Sequence, residues 1–180
     1  MPETETKPNA WLARLPELDG GRSPAVPNAD ADQLFDDILA AGKDGVRSII
    51  AALNDVDDGA DWKARYTLRG LASHTGTPER KADRKQLEAI YAGALSDDRA
   101  DSVKTFLVMQ LQYFAGADSV SAVAAQLKSE DPILIAAAAA TLTAIGQPAA
   151  KAMKDLQSDV GERARAAIDH ALMQISRNLG

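Results

Sequence analysis

The stretch Asp131–Lys151 reads DPILIAAAAATLTAIGQPAAK, and between its charged ends lie nineteen residues without a charge. A membrane span needs about 20 mainly bulky apolar residues. Here Pro132 and Pro148 leave fifteen residues between them, roughly 22 Å of helix at 1.5 Å per residue. Alanine fills much of the run, Thr141, Thr143 and Gln147 are polar, and no aromatic or basic belt flanks it. Its ends carry helix punctuation instead. Asp131 suits an N-cap, Pro132 the first helical position and Gly146 the C-cap. Ile133, Leu134, Ile135, Leu142 and Ile145 cover nearly the whole circumference, the pattern of a helix buried on more than one side. The run reads as a core helix, so its neighbours must come from the same chain.

The rest of the composition agrees with an all-α protein. The 180 residues suffice for one domain with a substantial core. Two Trp, three Tyr and three Phe are the only aromatic residues, and β-branched runs are absent. With no cysteine there are no disulfides, thiolate metal sites or cysteine nucleophiles. A net charge of -6 opposes sequence-independent nucleic-acid binding. The opening MPETETKPNA has neither a basic n-region nor an apolar h-region, so the expectation is cytoplasmic, with a previously removed signal left open.

Residues 1–29 hold five of the eight prolines and read as an N-terminal tail. Within it, NAWLARLPEL offers one or two helical turns presenting Trp11, Leu12, Leu15 and Leu18. It is expected to fold back over the first helices, with a partner-docking peptide as the alternative. Helices are predicted near 30–41, 43–54, 61–74, 83–95, 101–115, 118–128, 132–145, 148–157 and 161–177, several opening on Asp (Asp30, Asp61, Asp101, Asp131).

These segments repeat. Leu68, Val108, Ala138 and Ile168 are 40, 30 and 30 residues apart, as are Ala72, Gln112, Leu142 and Leu172. Gly76, Gly116 and Gly146 close three helices at the same intervals, and Val46, Ile49 and Leu53 precede Val120, Val123 and Leu127 by 74. A period of 30 to 40 with two helices per unit is a solenoid signature. The units DWKARYTLRGLASHTG, DSVKTFLVMQLQYFAGADSVSAVAAQLKSEDP and AAATLTAIGQPAAKAMKDL resemble HEAT-like repeats. Two departures stand out: Lys104 occupies a place where Arg is usual, and the last unit has no second helix. The resemblance covers residues 30 to 177 and implies a right-handed α-α superhelix of four to five helix pairs over 30–180. It also implies a concave face lined by second helices, and protein binding more often than catalysis.

Reactive constellations are not evident. His74 and His170 stand apart from any metal-ligand spacing, and no phosphate-binding glycine loop or nucleophile elbow appears. The pairs Asp36-Asp37, Asp57-Asp58 and Asp97-Asp98 sit at helix ends and turns, where capping and solvation explain them. No metal, cofactor or catalytic residue is therefore expected. One feature has an asymmetric charge: residues 63–85 carry seven basic groups against Glu79 and Asp83. The candidate partner-binding residues are Trp62, Lys63, Arg65, Arg69, Arg80, Lys81, Arg84 and Lys85. They would suit an acidic partner; the alternative is a solvated helix and loop whose arginines pair with neighbouring aspartates. The functional expectation is a monomeric, non-enzymatic scaffold that docks another protein, with no membrane contact. A HEAT-like enzyme such as a chromophore lyase, or a structural module of a larger protein, is the alternative. The final helix, with Ile168, Leu172 and Ile175 on one stripe and a charged opposite face, reads as a terminal cap.

Overall fold

The computed structural model describes residues 9–17, 26–55 and 60–178. Leu18 and the pair Asp57-Asp58 lie outside the described residues. Among those described, the regular elements are all helical: α1 (Asn28–Ala40), α2 (Gly42–Ala51), α3 (Trp62–His74), α4 (Lys81–Ala94), α5 (Asp101–Leu111), α6 (Val120–Ala125), α7 (Pro132–Ile145), α8 (Gln147–Leu156) and α9 (Glu162–Arg177). Short 3-10 turns at Leu12–Arg14, Pro78–Arg80, Ala117–Ser119 and Gln126–Lys128 accompany them. No helix is long and apolar enough to cross a membrane.

The helices lie in two layers. Each odd-numbered helix touches the next odd-numbered one from α1 to α9, and each even-numbered helix touches the next from α2 to α8. Between the layers, α2 touches α1 and α3, and α8 touches α7 and α9. The core runs between the layers. Leu68, Val108, Ala138 and Ile168, spaced 40, 30 and 30 residues apart, are all fully buried, as are Ile49, Val123 and Leu127. The parallel set is less regular, because Gln112 is exposed beyond the end of α5 while Leu142 is buried.

Helix α7 has the ends its sequence promises. Asp131 accepts from the Ile133 and Leu134 amides, Pro132 follows, and Gly146 ends the helix at φ 81. Its surroundings are more open than a fully apolar circumference implies. Neighbours α5, α6, α8 and α9 bury Leu134, Ile135, Ala138, Ala139 and Leu142, but Ile133, Ala136, Ala140 and Ala144 form an exposed stripe. Alanine tolerates that exposure, since it is the best helix former and buries no polar group.

The other punctuation differs in detail. Gly76 and Gly116 have no left-handed φ. Gly76 donates its amide to Ser73, and Gly116 precedes the 3-10 turn at Ala117 with its amide on Glu88. Asp30 lies inside α1, and Asp101 is the first residue of α5 rather than its cap. Asp61 holds the N-cap position of α3 without a side-chain cap bond, because its carboxylate accepts from the Asn54 amide and from Arg65.

In the N-terminal segment, Leu15 is buried while Trp11 and Leu12 pack against the core. Asn9 donates to the Ser48 carbonyl at 2.9 Å, and Arg14 pairs with Asp37 at 2.6 Å.

Candidate functional site

The structure separates the basic residues of segment 63–85 into three groups. The first is turned inward. Arg65 Nε donates to the buried Asp61 carboxylate at 2.8 Å, and its guanidinium lies 5.1 Å from the centre of the Phe106 ring. Lys63 pairs with Glu17 at 2.5 Å and lies 6.0 Å from the centre of the half-buried Trp62 ring. Trp62 meets Tyr66 edge-on at 6.4 Å. Arg65 and Lys63 fasten α3 to the turn before it and to the N-terminal segment.

The second group closes helix ends. Arg80 binds Asp36 of α1 at 2.6 Å and approaches Asp83 at 3.7 Å. Asp36 also contacts His74 Nε2 at 2.8 Å, while His74 Nδ1 lies 3.3 Å from Asp32. The His74 hydrogen bond, aided by Arg80, holds the Asp36 carboxyl below its ordinary value despite some desolvation. Arg84 donates to the carbonyls of Tyr113 and Phe114 just beyond α5, where cations find unsatisfied acceptors.

Lys81 and Lys85 form the third group, at the rim of a groove between α4 and α6. Arg69 belongs to none of these groups: it is exposed on α3, away from this groove. The groove has a volume of about 1230 Å³. Ala89, Ala92, Gly93, Ala122 and Ala125 line it, with Gln86 and Gln126 among its polar groups. At its base Glu88 is buried and accepts from the Gly116 amide at 2.7 Å and the Ser119 hydroxyl at 2.5 Å. That carboxylate therefore fixes the entry to α6. Glu79 is occupied as well: its own backbone N–H and the Thr77 hydroxyl lower its pKa. Lys85 and Asp118 face each other at 3.6 Å, both well exposed, a weak pair in water. Arg47 of α2 stands at the groove's edge, since a Cβ on Gly93 would lie 3.7 Å from its guanidinium. Among the described residues, neither Arg47 nor Lys81 makes an ion pair or side-chain hydrogen bond.

Charge counting in the sequence could find Lys81 and Lys85 but not the groove. Its signal was the run of small residues at one face of α4, Ala82, Ala89 and Gly93, opposite Ser121, Ala122 and Ala125 of α6. Among the described residues, no group of three or more His, Asp or Glu is placed to hold a metal ion.

No protein-family model and no curated protein matches this chain.

Proposed function

We propose that the chain is a non-enzymatic docking scaffold, built as a HEAT-like α-solenoid, whose α4–α6 groove receives an acidic helical segment of another protein. The observation that carries this reading is the groove itself: a floor of small residues between second helices, with Lys81, Lys85 and Arg47 at its edges, Glu79 and Glu88 engaged within the chain, and Asp118 only weakly paired with Lys85. The same-layer contacts from α1 to α9 and from α2 to α8, with equivalent residues buried at repeat spacing, support the solenoid reading. Each of α2, α4 and α8 carries one more basic than acidic residue, although the whole chain is at -6. The even-helix layer therefore attracts an acidic partner more than the rest of the molecule does. Small residues on the floor let a partner helix approach closely, in the helix-in-groove mode.

Selection of a displayed random-peptide library on the purified protein tests this. Enriched peptides should combine acidic residues with a small apolar face. Their binding should fall on Lys81→Glu/Lys85→Glu and on Ala125→Arg, and survive Lys151→Glu outside the groove. Peptides that bind all variants equally, or a selection without acidic enrichment, would count against the groove.

A further inference from the structure

A second pocket of about 570 Å³ lies between α3 and the end of α5 and shares no lining residue with the groove. We infer that it binds a small organic acid: a carboxylate on an apolar body that also offers an N–H or O–H donor. Arg69 is the only charged residue in its lining, beside Ser73, Met109, Gln110 and Tyr113. Among the described residues Arg69 makes no ion pair and no side-chain hydrogen bond. This is not for want of nearby acid, because Asp32, Asp36 and Asp37 of α1 are engaged by His74, Arg80 and Arg14. A guanidinium fork without a partner matches the geometry of a planar carboxylate.

The second observation concerns Gln110. It is 4% exposed, and its Oε1 is buried with no hydrogen-bond partner. Buried polar atoms are nearly always paired, so this acceptor needs a donor. Turning the amide about its terminal torsion would bring Oε1 towards the pocket that Gln110 lines, exchanging it with the Nε2 group. Such an acceptor favours an acid bearing an N–H or O–H; inorganic phosphate has an O–H as its monohydrogen dianion but lacks an apolar body for the mouth. The mouth supplies the apolar contact: Met109 is 49% and Tyr113 76% exposed. The volume falls within the range of about 300–1,000 Å³ usual for small-ligand pockets.

N-acetylphenylalanine carries all three groups and is a suitable probe. Titrated into the full-length protein and followed by amide NMR, it should give saturable shifts confined to α3 and the end of α5. N-acetylphenylalaninamide and inorganic phosphate should not. Arg69→Ala should weaken binding by about tenfold or more, with partial recovery in Arg69→Lys. Gln110→Leu should also weaken binding while leaving the thermal midpoint unchanged or raised, since an apolar replacement removes an unpaired acceptor. Three results would each overturn the inference: no shifts there at millimolar probe, equal binding of the amide or phosphate, or unchanged binding in Arg69→Ala or Gln110→Leu.

Discussion

Residues 9–100 and residues 101–178 stack helices by different means. The first half uses bulk and charge. Phe35 packs against Tyr66 and His74 at 6.4 and 5.5 Å, a His74–Asp36 hydrogen bond ties α1 to α3, and ion pairs tie α1 to the following loop and to the N-terminal segment. Arg99 reaches back to the carbonyls of Ile50 and Leu53 and to Asp55, closing the end of α2. The second half makes little use of charge. Among the described residues its only internal ion pair is Lys151–Asp155 on one helix face; α7 packs against both α5 and α9, and Val108, Ala138, Leu142 and Ile168 on these helices are fully buried. Its notable polar link is Thr141, whose hydroxyl donates to the Val108 carbonyl at 3.0 Å. The two halves therefore differ in how far charge holds them together, and they should fail under different stresses.

The largest contrast should come from charge placed in the core of the second half. Ala138 is fully buried between neighbouring helices. Ala138→Asp should cost about 3–5 kcal/mol or unfold the protein, because an unpaired carboxylate would be desolvated. Chemical denaturation followed by circular dichroism measures this; a variant as stable as the parent would break the distinction between the halves.

A single methyl group tests the aromatic half. A Cβ on Gly70 would come within 2.1 Å of the Phe35 ring, so α1 and α3 approach through a notch that only glycine leaves. Gly70→Ala should destabilise by about 1–3 kcal/mol. Phe35→Leu in the same chain should recover part of that loss. Without the notch, the substitution would instead stabilise by about 1 kcal/mol, as expected for a helix interior.

Acid should separate the halves. Among the described residues, every carboxyl with a lowered pKa lies in the first half: Asp36, Asp37, Asp55 and Glu79. Hydrogen bonds from His74, Arg14 and Arg99, respectively, lead the aspartate shifts. A lowered folded-state value means the unfolded chain binds protons first as pH falls. The stabilisation is complete above the ordinary aspartate value of 3.8 and is lost as pH drops through the lowered values. Hydrogen exchange at decreasing pH should show α1–α3 losing protection before α7 and α9.

The smallest effect belongs to the groove rim. Lys81→Glu with Lys85→Glu should change stability by no more than about 1 kcal/mol, because both side chains are exposed. Thermal melting checks this, and a large loss would mean that the rim holds the fold together.

Sequence pattern revealed helices better than it revealed their company. The ends of α7 were legible because Asp131, Pro132 and Gly146 act locally. The end of α5 was not: the apolar pattern continues through Phe114, yet the helix stops at Leu111 and Gln112–Phe114 form a turn. Phe114 is buried there beside Tyr91, so its apolar character reports packing rather than helix. Charge clustering likewise located the basic segment, but pairing depends on distant chain. Nothing near Arg80 in sequence points to Asp36, and nothing near Lys63 points to Glu17. The alternative of arginines paired with neighbouring aspartates describes Arg65 and Asp61 but not Arg69. The groove depended on α4 lying beside α6, a relation between elements that no local spacing encodes.

The exposed stripe on α7 also makes the molecule easy to instrument. The chain has no cysteine, so one thiol introduced at Ala136, Ala140 or Ala144 would be its sole target for maleimide chemistry. These positions succeed one another by a single helical turn, giving attachment points stepped by about 6 Å along a straight segment. A spin label or fluorophore there, paired with a second on exposed Asp44 of α2, would turn the helices into a molecular ruler. Bending of the helix array on ligand addition could then be read as a change in distance, without labelling either pocket's floor.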